Sequence, residues 1–201
     1  MNKEHPVILA ITAASGVIFG LRTLEFLLSS GYKVELIISS KAYYIFEQEL
    51  GLKISHDKNI IEKELVDYLG IESQNLKICL DDEMWAAPAS GSYATTGMII
   101  SPASMATISA IAAGYAENLI TRAADVTVKE GRNLVIVPRE TPFSTIHLEN
   151  MLKLSKLKVK IVPPIIGFYG KIETLEDGID FVVGKILDAY GISNNLYERW
   201  H

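Results

Sequence analysis

The sequence predicts an α/β protein built on one doubly wound parallel sheet with helices on both faces. Short, uninterrupted apolar runs such as Val7–Ile11 and 134–137 are typical of central parallel strands that are covered on both sides. Between such runs, apolar residues recur at helical spacing. This alternation continues along the chain without a repeat, linker or shift in composition, so residues 1–201 are predicted to form a single domain.

Each predicted element has its own sequence signal. Strands are predicted at Val7–Ile11, 34–39, Leu76–Leu80, 98–100, 134–137 and 159–162, and helices at 17–28, 42–50, 60–69, Met105–Ala113 and 117–129. A further helix is predicted to start at Thr141 as N-cap, with Pro142 at the first helical position, and to run to about Lys156. Thr174 and Asp177 resemble a capping box that begins the last helix, which Gly191 ends.

Composition excludes several classes of protein. Hydrophobic residues make up 49% of the chain, charged residues only 21%, and the mean hydropathy is +0.22, which favours a large core and broad contacts in a homo-oligomer. A membrane helix needs about 18 uninterrupted apolar residues, and the sequence has no such run. The net charge of −5 and pI near 5.4 argue against a nucleic-acid-binding protein.

Cysteine and histidine usage also limits the chemistry. The single cysteine, Cys79, lies between apolar neighbours and is predicted to be a buried thiol rather than a nucleophile. The four histidines show no ligand spacing, so no metal site is expected. The apolar run that starts at Pro6 is too short for the core of a signal peptide, and the expected location is cytoplasmic.

In a doubly wound sheet, ligands bind beyond the carboxyl ends of the strands. Two strand-to-helix junctions there carry small and hydroxyl residues, namely residues 12–16 and residues 101–104 with Thr107 one turn later. Such junctions suit a phosphate at a helix N-terminus, although tight packing and ordinary N-capping by Ser104 explain them equally well. Together they favour a mononucleotide.

Charged residues mark two further candidate positions. Arg122 and Lys129 are seven apart and share a helix face, with Asp125 between them, so a solvated ion-pair ladder is the alternative to a phosphate site. Arg139 and Glu140 directly follow a predicted strand, where arginine can bind phosphate and a carboxyl group can transfer a proton.

Taken in order, several short runs resemble the UbiX flavin prenyltransferases over nearly the whole chain. The runs are residues 12–16 (TAASG), 89–92 (ASGS), 101–105 (SPASM), 119–125 (LITRAAD), 137–142 (VPRETP), 146–151 (IHLENM), Pro163-Pro164 and Phe168-Tyr169. The RAAD and PRETP blocks at this separation are the most specific of them.

The resemblance implies a flavodoxin-like, Rossmann-like three-layer fold, a homododecamer and FMN bound between subunits. It also implies an enzyme that transfers a dimethylallyl group from its monophosphate, or in some relatives its diphosphate, to reduced FMN without a metal. The product, prenylated FMN, serves UbiD-type decarboxylases, and older descriptions call such proteins aromatic-acid decarboxylases.

Matching positions carry expected roles from the family. The residues expected to hold FMN are Ala13, Ala14, Ser15, Ser39, Ser104, Met105, Ala106, Thr107 and Arg139. Those expected around the prenyl donor are Ser90, Arg122, Lys129, Glu140, Tyr169 and Lys185. The expected catalytic set is Ser15, Glu49, Arg122, Lys129 and Glu140, with the cationic side chains stabilising the departing phosphate.

Three positions depart from the family pattern. Ala13 replaces a glycine, Lys185 stands where relatives often have arginine, and Met84 holds the place of a tryptophan that appears one residue later as Trp85. By themselves, Trp85, Tyr93 and Tyr169 suit core or interface anchors as well as rings that face a flavin or an allylic cation.

Two other functions remain open from the sequence. A flavin-dependent cysteine decarboxylase shares the fold, but Ala106 stands where that family has an essential asparagine. A non-catalytic FMN carrier is the other alternative, and it would not need the set formed by Arg122, Lys129 and Glu140.

Overall fold

The protein is described by a computed structural model that covers residues 3–71, 74–170 and 172–200. Six parallel strands form one sheet: β1 (Val7–Ile11), β2 (Val34–Ile38), β3 (Leu76–Leu80), β4 (Gly97–Ala103), β5 (Asn133–Pro138) and β6 (Lys160–Ile161). The strand order is β3-β2-β1-β4-β5-β6, which is the Rossmann-like order. The predicted doubly wound sheet is confirmed.

Within the residues that the structure describes, seven α-helices cover the two faces of the sheet. They are α1 (Val17–Ser29), α2 (Tyr43–Leu50), α3 (Lys58–Leu69), α4 (Met105–Ala113), α5 (Leu119–Lys129), α6 (Thr145–Lys156) and α7 (Leu175–Tyr190). One core cluster joins the sheet to α1, α2, α3 and α7, and a second joins its other face to α4, α5 and α6. Since both faces are covered, β1 and β2 are buried along their entire length.

Helix starts follow local capping chemistry, with one correction to the predictions. The capping box of Thr174 and Asp177 is present at the start of α7. The predicted start of α6 at Thr141-Pro142 is wrong, because the helix begins at Thr145. Ser144 is its N-cap, accepting the N–H of His147, while the Nδ1 of His147 accepts the N–H of Ser144.

Four strands differ from their predicted lengths, β2, β5 and β6 by one or two residues and β4 by more. The strand predicted at 98–100 extends over Gly97–Ala103, since β4 lies between β1 and β5 and pairs with both. The strand predicted at 159–162 shortens to Lys160–Ile161 at the edge of the sheet. Pro163 and Pro164 follow after Val162, and proline has no N–H to continue a ladder.

Cys79 is buried on β3, as predicted from its neighbours. Burial, reinforced by the negative charge of Glu35, raises the pKa of its thiol to about 11. Because reactivity needs the thiolate, we expect iodoacetamide to label native protein at pH 8 about a hundredfold more slowly than a free thiol, and faster as the pH approaches that value. Mass spectrometry with and without urea measures this. Equal labelling of native and unfolded protein would contradict it.

No helix among residues 3–71, 74–170 and 172–200 is both long enough and apolar enough to cross a membrane.

Candidate functional site

The strand order reverses between β1 and β4, and a cleft of about 390 Å³ opens beyond the carboxyl ends of these neighbouring strands. The lining residues from the loops that follow β1, β2, β3 and β4 and from the nearby helices are Ala13, Ser39, Ser40, Lys41, Asp81, Asp82, Ser104, Ala106, Thr107, Ala110, Glu117, Asn118 and Thr121. The structure thus brings together five residues predicted to hold a cofactor: Ala13, Ser39, Ser104, Ala106 and Thr107.

Thr12 joins the two loops that flank this cleft. Its hydroxyl donates to the carbonyl of Pro102 at 2.9 Å and accepts the N–H of Ser104 at 2.8 Å, and the side chain is buried. The residue therefore fixes the loop after β1 against the start of α4. The sequence marked Thr12 only as a member of a motif. Its role as a link depends on a partner 92 residues away.

Two hydroxyl groups lie at the N-terminus of α4, inside the cleft. The Oγ of Ser104 accepts the N–H of Thr107 at 3.2 Å and lies 2.9 Å from the Thr107 hydroxyl. Ordinary capping by Ser104 is therefore present, and the Thr107 hydroxyl lines the cleft as well. A helix N-terminus with two hydroxyl donors suits an anionic group such as a phosphate.

The N-terminus of α1 already holds an anionic side chain from the protein. The carboxylate of Glu49 accepts the N–H of Gly16 at 2.9 and 3.1 Å and the N–H of Val17 at 3.2 Å. Gly16 adopts φ +92°, which favours glycine. This contact places Glu49 next to Ser15. It also leaves the α4 N-terminus as the better site for a ligand phosphate.

The other residues predicted around the cofactor have different surroundings. Ala14 is buried in the loop after β1, and its N–H donates to the carbonyl of Thr12 at 2.8 Å. Met105 packs against the core cluster beneath α4.

On the opposite wall of the cleft, Asp81 accepts both the N–H and the hydroxyl of Ser40, at 2.9 and 3.2 Å. Asp81 thus holds the loop after β2 at the cleft, a role that its sequence position did not indicate.

Arg139 and Glu140 follow β5 at the same edge of the sheet. The N–H of Arg139 donates to the carbonyl of Ala103 at 3.3 Å, which places Arg139 beside the residue that begins the α4 junction. The two exposed side chains line a second cavity of about 210 Å³ together with Phe143 and the Pro163-Pro164 turn. The charged pair therefore lies at the same edge of the sheet as the cleft, in a cavity of its own.

Arg122 and Lys129 lie on the face of α5 that packs beside residues 89–91. The Nε of Arg122 donates to the carbonyl of Ala89 at 3.2 Å, and its Nη1 to Asp125 at 2.9 Å. Lys129 is paired with Glu130. A Cβ added to Gly91 would lie 2.7 Å from the Nζ of Lys129, so this ammonium group packs closely against residue 91. Asp125 thus pairs with one of the two cations rather than bridging both.

Ser90 belongs to the same loop and is exposed, with its Oγ 2.9 Å from the Oγ of Ser92. The residues predicted to surround the prenyl donor therefore occupy two regions of one chain. One comprises Ser90 with the basic face of α5. The other comprises Glu140, beside Arg139, which is predicted to hold FMN.

Tyr169 and Lys185 lie close to the second of these regions. Lys185 lines a cavity of about 490 Å³ that shares Pro163 and Ile165 with the Arg139–Glu140 cavity. Tyr169 packs edge-on against Phe181, which lines the same 490 Å³ cavity, at 5.6 Å between ring centroids.

The other two aromatic candidates lie apart from the cleft. The hydroxyl of Tyr93 donates to Glu35 on β2 at 2.7 Å, and this ring lines a pocket with residues that precede the strands, at the opposite edge of the sheet. Burial is the larger cause and that hydrogen bond the second of a pKa for Tyr93 well above its usual value. Trp85 is 80% exposed. Tyr169, in contrast, packs against Phe181, which lines the same cavity as the predicted site residue Lys185.

The donor atoms of the cleft suit an organic anion. Hydroxyl groups at the N-terminus of α4 can donate to an anion there, while Asp81, Asp82 and Glu117 contribute carboxylates to the same lining. Among the described side chains no group of three or more His, Cys, Asp and Glu is arranged to hold a metal ion.

Comparison with known proteins gives consistent matches. The model of the family described as Flavoprotein matches residues 1–187. A protein of Halalkalibacterium halodurans named flavin prenyltransferase UbiX is 49% identical over 191 residues, covering 94% of this chain and 90% of the relative.

Two solved structures share the fold along their whole length. A crystal structure of AnUbiX (PadA1) in complex with FMN and dimethylallyl pyrophosphate has a TM-score of 0.86 at 34% identity, covering 98% of this chain and 97% of that one. A dodecameric FMN-dependent UbiX-like decarboxylase from Escherichia coli O157:H7 has a TM-score of 0.85 at 38% identity, covering 98% and 99%.

Proposed function

This chain belongs to the UbiX family of flavin prenyltransferases, and we propose that it joins the dimethylallyl group of dimethylallyl phosphate to reduced FMN. The reaction consumes both molecules and yields prenylated FMN and inorganic phosphate. The observation that carries the proposal is the cleft at the strand-order reversal, with the hydroxyl groups of Ser104 and Thr107 at a helix N-terminus and Arg139 beside it.

The residues of the cleft fit FMN. In the proposal, Ser104 and Thr107 hold its phosphate, with Arg139 as the nearby cation. Ala13, Ala106 and Ala110 are small, so the lining leaves room for a flat ring system. Ser39 lines the facing wall, and Ala14, Ser15 and Met105 belong to the two loops that frame it. Reduced FMN would supply the nucleophilic nitrogen and the neighbouring ring carbon.

The cationic residues act on the donor in this proposal. Arg122, Lys129 and Lys185 bind the donor phosphate and stabilise the negative charge that grows on it as the allylic carbon–oxygen bond breaks. No metal is needed for this step, because fixed ammonium and guanidinium groups provide the charge. Ser90 adds a hydroxyl group from the loop beside α5, and Tyr169 a ring face that can steady a developing allylic cation.

Proton transfer is assigned to two carboxyl groups and one hydroxyl group. In the proposal, Glu140, which lines the cavity at the Pro163-Pro164 turn, gives or takes a proton beside the leaving phosphate. Glu49 contacts the backbone of residues 16 and 17, next to Ser15. Ser15 would hydrogen-bond near the reacting nitrogen.

A homododecamer would complete the site. Within one chain, Arg122 and Lys129 contact residues 89–91, whereas Arg139, Glu140 and Lys185 border the Pro163-Pro164 turn. A neighbouring copy can bring the two groups to one flavin, and the dodecamer of the E. coli relative supports that assembly. We propose a cytoplasmic location and a UbiD-type decarboxylase as the recipient of prenylated FMN.

The direct test is anaerobic incubation with reduced FMN and dimethylallyl phosphate, with the diphosphate in a parallel sample. We expect mass spectrometry of the released flavin to find FMN heavier by one prenyl group. An equal amount of inorganic phosphate should appear from the monophosphate, or of pyrophosphate from the diphosphate. Omitting the protein gives the background. Unmodified FMN with both donors would contradict the proposal and favour the carrier.

A separate sample with oxidised FMN as the oxidant and a peptide that ends in cysteine tests the enzymatic alternative. A cysteine decarboxylase would release CO₂ from a peptide with a C-terminal cysteine and oxidise it, without consuming a prenyl donor. Ala106 lines the cleft at the position where that family has its essential asparagine, so we expect no CO₂.

A further inference from the structure

The C-terminal segment 192–200 folds back onto α7 and is fixed there by Asp188. The carboxylate of Asp188 accepts the Tyr197 hydroxyl at 2.6 Å, the Nδ2 of Asn194 at 2.9 Å, and both terminal nitrogens of Arg199 at 2.8 and 3.0 Å. Burial alone would raise the pKa of Asp188, but the hydrogen bonds from Arg199 and Tyr197 outweigh it and hold that pKa below its usual value.

The ring of Tyr197 lies directly on the backbone of α7, at the residue before Lys185. A Cβ added to Gly184 would lie 2.4 Å from the Cδ1 of Tyr197 and 2.9 Å from the Oδ1 of Asn194. Only glycine at this position lets the ring approach so closely. The segment is therefore seated on α7 by shape as well as by hydrogen bonds.

Two residues predicted to surround the prenyl donor, Lys185 and Tyr169, contact the C-terminal segment. The Nζ of Lys185 lies over the Tyr197 ring, 5.8 Å from its centroid. Tyr197 also packs against Phe181 at 5.0 Å, and Trp200 packs edge-on against Tyr169 at 5.6 Å.

The contact with the Tyr197 ring matters because residue 185 is a lysine. An ammonium group on a flexible stem has no planar fork to orient it on a phosphate, unlike arginine. The face of the Tyr197 ring attracts the ammonium group. The pKa of the Tyr197 hydroxyl rises to about 12, mainly because the residue is buried and also because it donates to Asp188. The ring therefore stays neutral at physiological pH and holds a fixed position.

We propose that Tyr197 is a positioning residue for the prenyl donor, which acts through Lys185 by holding its ammonium group toward the donor phosphate. The inference rests on the proposed function. It adds a residue outside the site expected from the sequence.

The test measures binding as well as turnover. Calorimetric titration of dimethylallyl phosphate into the protein loaded with oxidised FMN needs no reaction, so its outcome is independent of whether the enzyme prenylates flavin. For Tyr197→Leu we expect the donor Kd to rise about fivefold, with an increase in KM larger than any loss of kcat and with unchanged FMN affinity. Tyr197→Phe keeps the ring and is expected to retain most of the donor affinity.

A double-mutant cycle tests whether Tyr197 affects donor binding through Lys185. In a Lys185→Met background, Tyr197→Leu should no longer change the donor Kd, because the group that it positions is gone. An equal loss with and without Lys185, or an unchanged Kd in the single Tyr197→Leu variant, overturns the proposal. If the wild-type protein binds the donor but makes no prenylated flavin, the proposed function fails while this inference is still decided by the Kd values.

Discussion

Replacing Glu140 by glutamine is expected to slow prenyl transfer by at least about a hundredfold while leaving FMN bound. Glutamine has the same shape, and its amide oxygen can still accept the N–H of Thr141, which lies 3.0 Å from the Glu140 carboxylate. What the variant loses is a group that can exchange a proton beside the donor phosphate. FMN affinity should persist, because Ser104 and Thr107 line a different cavity.

The measurement is the initial rate of prenylated-flavin formation at saturating dimethylallyl phosphate, together with an FMN titration followed by flavin fluorescence. Glu149→Gln provides a matched control, since Glu149 is an exposed carboxylate on α6. The control should react at the wild-type rate. Equal rates for Glu140→Gln and wild type would remove Glu140 from the mechanism.

Replacing Gly20 by alanine is expected to destabilise the fold by about 3 kcal/mol or more. Gly20 is buried in the middle of α1, and a Cβ there would lie 2.3 Å from the carbonyl oxygen of Ser101 and 2.8 Å from Ile11. The nearest atom belongs to the backbone of a central strand, so a side-chain rotation cannot relieve the contact. A displaced Ser101 would also disturb Pro102, whose carbonyl accepts from Thr12 at the cleft.

Urea unfolding at fixed protein and FMN concentrations measures this loss, and the same samples report FMN affinity. Gly178→Ala on α7 is the matched control, because its Cβ would meet only the flexible Cδ1 of Ile166 at 2.9 Å, and alanine favours the helix. We expect the control to stay within about 1 kcal/mol of wild type. A Gly20→Ala variant as stable as the control would show that α1 can move away from β4.

Much of the fold was predictable because its signals are local. The apolar run at Val7–Ile11 and the Leu76–Leu80 strand have their predicted bounds, and the capping box of Thr174 and Asp177 begins α7 as expected. The start of α6 was mispredicted because only Thr141 was considered as its N-cap, whereas Ser144, three residues later, caps the helix. The hydrogen bonds between Ser144 and His147 decided between them.

The candidate site was only partly predictable. The rule that ligands bind at the carboxyl ends of parallel strands pointed to Ala13, Ser39, Ser104 and Thr107, and these residues line one cleft. The same rule did not place Arg122 and Lys129, because they lie on a helix. For Tyr93 the sequence left open whether it is a structural anchor or a ring that faces the flavin. In the structure its hydroxyl donates to Glu35, at the other edge of the sheet.

The sequence by itself determined the alternation of strands and helices, the doubly wound sheet and the family, because these depend on periodicity and on short motifs in order. Only the tertiary structure decided that Glu49 contacts the N-terminus of α1, that Asp81 holds Ser40, and that the C-terminal segment supports Lys185. Those contacts join residues that chain order separates, and their hydrogen-bonding atoms meet only after the two layers of helices have packed on the sheet.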